Sequence, residues 1–168
     1  MAAQGLIRAC LCDRSVTFQV QGQVTMQQCP AIRQFADTCF ANCITHVYID
    51  LCGCSYVDST FLGTMVYLKR TASAAGGQFA LINPSNECQQ FIRQTHLDGV
   101  FPVLKVSDCV DGVWTELKGA PADLAVFQRG VVQAHQELAE VPGRCGETFR
   151  PLADRMTREL QVQSKPRS

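Results

Sequence analysis

Val16, Phe18 and Val20 alternate with polar neighbours over residues 15–21, the period-two pattern of a strand with one buried face. Residues 6–13 have the same character, and the polar break at Asp13-Arg14 lets the two segments form a hairpin ended by Gly22. The period then changes. Over residues 28–41, Ile32, Phe35, Cys39 and Phe40 fall on one helical face, and Pro30 suits the first turn because its missing N–H has no partner there. Residues 45–51 return to alternation through Val47, Ile49 and Leu51, followed by a predicted turn through Gly53 and a short Tyr56-Val57 piece.

Asp58-Ser59 is a helix-start signal, because a side-chain oxygen there accepts from the unpaired N–H groups of the opening turn. The helix is expected to run to about residue 75, with Leu62, Met65, Val66 and Leu68 on its apolar side, and to stop at Gly76-Gly77. Residues 79–82 are continuously apolar, as in a strand buried on both faces. A cap at Asn83-Pro84-Ser85, a helix over 86–95 and a strand over 101–106 follow. Short strands alternating with helices predict an α/β domain with a mixed, largely parallel sheet of four to five strands.

The remainder is different. Residues 107–121, with Asp108, Asp111, Gly112, Gly119 and Pro121 around the lone Trp114, read as a linker or loop. Leu124, Phe127, Val131, Ala134, Leu138 and Val141 form an apolar stripe on a helix expected over 122–141. Pro142-Gly143 breaks it, and a second helical pattern carries Phe149, Leu152, Met156 and Leu160 before a polar, fraying end at 161–168. The chain thus divides into a domain at 1–107 and a linker with a C-terminal helical extension at 108–168. The extension is expected to cover the sheet on its own chain, and the same stripe would serve a homodimer.

Composition narrows the function. Lys plus Arg and Asp plus Glu balance at 15 each, so the basic excess of a nucleic-acid binder or of a polybasic membrane-surface protein is missing. The first residues do not read as a secretory signal, and no run approaches the ~20 apolar residues of a membrane span, which points to the cytoplasm. In a reducing compartment the ten cysteines, Cys10, Cys12, Cys39, Cys43 and Cys88 among them, read as small core hydrophobes.

Residues 47–65 read VYIDLCGCSYVDSTFLGTM. This resembles the signature of the STAS family, named for sulphate transporters and anti-sigma-factor antagonists: an apolar strand ending Asp-Leu, a turn, then Asp-Ser-(Ser/Thr/Ala)-Gly-Leu-Gly opening a helix. The matching positions are Asp50-Leu51, Asp58-Ser59-Thr60, Leu62 and Gly63. Phe18 to Gly22, Gly77 to Ser85 and Phe91 to Phe101 resemble the family's other strands and turns in the right order. Phe61 stands where the family has glycine, and Thr25 where it often has an acidic residue.

The resemblance implies a docking protein, not an enzyme. It implies that Ser59 is phosphorylated by an anti-sigma factor that is itself a serine kinase of the histidine-kinase-like ATPase type, that the unmodified form binds that factor, and that a serine phosphatase resets the cycle. A partner-binding face made of Asp58, Ser59, Thr60, Phe61, Leu62, Gly22, Thr25, Asn83 and Ser85 goes with it. Thr60 is a second acceptor candidate. Read from the residues alone, Ser59 is foremost a helix cap, and Asp58 a residue that holds the loop. A different assembly for the same module, such as a lipid-transport complex or a ligand sensor, is the alternative.

Other chemistry has less support. Cys10-Leu-Cys12 and Cys52-Gly-Cys54 have one-residue gaps, which on a strand place both thiols on one face, whereas metal sites favour two-residue gaps with a second pair. His46, His96 and His135 are scattered, with surface or capping roles as the expectation. The phosphate-loop, nucleophile-elbow and zinc-helix motifs do not occur in the sequence, so neither a cofactor nor a metal is expected.

Overall fold

The computed structural model describes residues 4–108, 110–118 and 123–166. Strands β1 (Leu6–Cys12) and β2 (Ser15–Val24) form the expected antiparallel hairpin, turning at Asp13 with φ +52°. Helix α1 (Cys29–Ala41) leads to β3 (His46–Val57), α2 (Ser59–Ala74), β4 (Phe79–Ile82), α3 (Asn86–Gln94) and β5 (Val103–Leu104). Then come β6 (Trp114–Glu116), α4 (Leu124–Ala139) and α5 (Arg144–Gln163). The strands make one six-stranded sheet in the order β5-β4-β3-β2-β1-β6. β2, β3, β4 and β5 run parallel, and β1 is antiparallel to both β2 and β6.

The alternation read from the sequence sets the core. Val16, Phe18, Val20, Val47, Ile49 and Leu51 are fully buried, and all four residues of β4 are buried, as its unbroken apolar run predicts. α1 contributes Ile32 and Cys39 to this core, with Phe35 and Phe40 packed partly buried against it.

Several local expectations give way to the tertiary structure. Gly53 does not turn the chain, because β3 continues to Val57 beside β2. The pairing absorbs the irregularity as register shifts between Gln19 and Gln21 and between Gly22 and Gln23, with Gly22 at φ +74°. The broken alternation leaves Cys52 exposed and Cys54 buried, so the two thiols do not share a face. The strand expected over 101–106 shortens to Val103–Leu104 at the sheet edge. Conversely, the predicted linker yields β6, because the outer edge of β1 has unpaired backbone groups that Trp114 to Glu116 satisfy.

The cysteines also divide. Cys10, Cys29, Cys39, Cys54, Cys88 and Cys145 are buried as expected, whereas Cys12, at the β1 hairpin, and Cys43, in the φ +62° turn after α1, are exposed. Cys109 lies outside the described residues, as do Gly119, Pro121 and Ala122, the expected start of the fourth helix.

α4 and α5 form an antiparallel hairpin turned at Gly143 (φ +87°) and packed on α2 through α4. Leu138, Val141, Cys145 and Phe149 join the core, but Leu124, at the head of the expected stripe, is 68% exposed. No helix among the described residues is long and apolar enough to cross a membrane.

Candidate functional site at the mouth of helix α2

The parallel strands β2, β3 and β4 end along one edge of the sheet, and the loops that follow them carry the residues singled out in the sequence. The loop from β3 into α2 is tied down by Asp58. Its backbone is extended (φ −94°, ψ 175°), and its Oδ1 accepts from the Phe61 N–H at 2.9 Å. Oδ2 accepts from the Met26 N–H at 2.7 Å, and the Asp58 N–H donates to the Val24 carbonyl at 3.3 Å. One carboxylate thus caps α2 and fastens the β2–α1 loop to it. Asp58, not Ser59, is the helix cap.

Ser59 is the first helical residue and its hydroxyl is free of capping duty. That hydroxyl does not simply face solvent. It lies 3.0 Å from Nε2 of His135 on α4, and Nδ1 of the same ring lies 2.8 Å from the Val131 carbonyl. A carbonyl only accepts, so Nδ1 carries the proton; in the neutral ring Nε2 is then bare and accepts from Ser59. His135 is 3% exposed, which replaces the surface role expected for it. His46 keeps a peripheral role, its Nδ1 accepting from the Gln78 N–H at 3.0 Å.

The neighbouring side chains point inward. Thr60, Phe61 and Leu62 are buried, Phe61 completely, so none of the three presents its side chain to solvent. The phenyl ring sits in the core where the family pattern has a glycine. Gly22 and Thr25 are partly exposed at the end of β2, where the Thr25 N–H donates to Gln28 Oε1 at 2.9 Å. Asn83 bridges both backbone groups of Val106, at 2.8 and 3.0 Å, and Ser85 caps α3 while donating to the Cys54 carbonyl at 2.6 Å. These two fix the loop after β4.

Beside the α2 mouth, a cleft of about 400 Å³ opens between α1 and α4, lined by Met26, Pro30, Arg33, Thr60, Phe127 and Val131 among others. Cys29 borders it. Burial pushes its thiol up to about 12, Thr64 opposes the shift by hydrogen bonding, and the Asp58 charge adds to it, so the group remains a protonated thiol at neutral pH. Among the described residues no three His, Cys, Asp or Glu side chains come together as a metal site.

The model of the STAS domain matches residues 11–111 of this sequence. The chain belongs to the STAS family. Solved structures agree at the level of the fold. The anti-sigma factor antagonist SpoIIAA in its unphosphorylated form is 18% identical over 61% of this chain and 89% of its own, with a TM-score of 0.55. The phosphorylated form of SpoIIAA, a Bacillus cell fate determinant, is 19% identical over 61% of this chain and 92% of its own, with a TM-score of 0.52. An anti-sigma factor antagonist from Mycobacterium paratuberculosis is 21% identical over 61% and 89%, also with a TM-score of 0.52. Helices α4 and α5 lie beyond the segment that defines the STAS match.

The residue that reading the sequence missed is His135. A histidine next to Ala134 in an apolar stripe is a weak signal, and nothing in the order of residues says that it meets Ser59 across 76 positions.

Proposed function

We propose that this STAS protein is an anti-sigma-factor-antagonist-type switch that acts in the cytoplasm by docking, with Ser59 as its control point. Its partner is an anti-sigma factor with serine kinase activity, and a serine phosphatase reverses the modification. The division into a STAS unit at 1–107 and a linker with a C-terminal helical extension at 108–168 belongs to the same reading, with β6 of the linker pairing back onto β1. One observation supports it above the others: the Asp-Ser-Thr motif of the family falls at the opening of α2, with Asp58 as the cap and the Ser59 hydroxyl not used in capping but bonded to His135.

The physics of that position suits a switch. A phosphoryl group would add about −1.5 to −2 charge. The N-terminal end of α2 tolerates it, because the dipole and the N–H groups of the opening turn face it. A desolvated protein contact beside Asp58 does not, since two like charges would be buried together. A loss of ~3 kcal/mol weakens binding by roughly two orders of magnitude.

Incubation of the purified protein with candidate anti-sigma kinases and labelled ATP tests this. Wild type is expected to take label, Ser59→Ala to take none, and Ser59→Asp to lose the partner. An unlabelled wild type whose Ser59→Asp variant binds as well as the parent would defeat the reading. The α4–α5 hairpin over the α2 mouth favours a second reading, in which the STAS module is a fixed part of a larger assembly. In that case Ser59 takes no label even when the hairpin is released.

A further inference from the structure

Helix α2 has two opposed faces. Phe61, Leu62, Met65, Leu68 and Ala72 are buried in the main core. Ser59, Gly63 and Arg70 fall on the other side at helical spacing, and each meets α4. Ser59 donates to His135. A Cβ added at Gly63 would stand 2.1 Å from the Ala134 carbonyl oxygen, so the two helices touch backbone to backbone and any side chain there would force them apart. Arg70 forms a two-point contact with Glu137, at 3.0 and 2.5 Å.

The seam is uneven. Toward the C-terminal end of α4, Leu138 is fully buried and Val141 nearly so. Toward its N-terminal end, Leu124 and Val126 are 68% and 47% exposed, and the cleft against α1 leaves Phe127 and Val131 incompletely packed. The loosely seated end of the hairpin is therefore the one that follows the 108–123 connection.

We propose that this stripe of α2 is a helix-docking surface and that α4 is its resident occupant. Ser59 is half-buried beneath His135, and an outside protein engages its hydroxyl in full by displacing the α4–α5 hairpin and laying its own helix in the vacated place. The chemistry of the stripe describes that helix: a small residue over Gly63, a proton acceptor at Ser59 and an acidic side chain within reach of Arg70. The identity of the outside protein as an anti-sigma kinase rests on the reading of Ser59 given above, whereas the covering of Ser59 does not.

A kinase-free measurement tests the cover. Ser59→Cys is introduced into the full chain, and the folded protein is alkylated with iodoacetamide, with each cysteine quantified by mass spectrometry. The exposed Cys12, Cys43 and Cys52 serve as fast references, and the buried Cys10 and Cys88 report any global unfolding. Position 59 is expected to react at least tenfold more slowly than Cys52. Adding Gly63→Ala, a wedge against Ala134, is expected to raise its rate at least tenfold while the references stay unchanged, with hydrogen exchange rising in α4 and α5 alone.

The proposal is overturned if position 59 reacts as fast as Cys52 in the parent, or if its rate is unmoved once α4 exchanges freely. It is also overturned if the wedge leaves α4 as protected as before. Should Gly63→Ala unfold the chain, Leu138→Ala replaces it under the same criteria. Because no kinase enters, failure of the labelling assay bears on the phosphorylation reading and failure here bears on the cover.

Discussion

The two faces of α2 are held by different physics. Toward the sheet the helix buries bulky apolar side chains, Phe61, Leu62, Met65 and Leu68 among them, in a core shared with every parallel strand from β2 to β4. Toward α4 it offers a glycine, a hydroxyl and an arginine whose side chain is 59% exposed. The first face stabilises in proportion to the apolar area removed from water, about 25 cal/mol per Å². The second depends on close backbone approach, on polar contacts worth about 1 kcal/mol or less each, and on the burial of few apolar side chains of α4, Leu138 foremost. A helix built this way anchors the domain on one side and makes a separable contact on the other.

Substitutions on the two faces sharpen or break that contrast. Phe61→Ala is expected to have the largest effect, a loss of about 3–5 kcal/mol, since it empties a fully buried site in the core. Urea unfolding followed by circular dichroism measures it, and a loss under about 1 kcal/mol would mean that the sheet-side face does not anchor the helix. Asp58→Ala sits between the faces. It removes the cap on Phe61 and the tie to Met26, and about 1–2 kcal/mol should be lost by the same measurement, with faster hydrogen exchange in the β2–α1 loop. Arg70→Ala is expected to be smallest, under about 1 kcal/mol and shrinking with added salt, because its guanidinium is largely solvated. A loss comparable to that of Phe61→Ala would make the α4 seam as integral as the core.

The hairpin, α1 and the buried β4 were legible because each is a local period: alternation, a helical stripe, or an unbroken apolar run. The Asp58-Ser59 junction was legible as a helix start, but which of the two side chains caps it was not, because both residue types serve. β6 was missed because an edge strand as short as Trp114 to Glu116 has no period of its own; its existence depends on the free edge of β1. The continuation of β3 past Gly53 was missed for a related reason. A glycine reads as a turn in isolation, while a parallel neighbour that keeps pairing through a bulge holds it extended.

By itself the order of residues determined a strand–helix alternation, its family signature and the helix mouth where Ser59 sits, since each follows from neighbours a few positions apart. Only the tertiary structure decided that His135 meets that serine, that Gly63 admits α4 against the backbone, and that Phe61 turns inward. Those three facts depend on which surfaces meet after the chain has folded, and contacts between distant segments are set by packing as a whole, not by any local pattern.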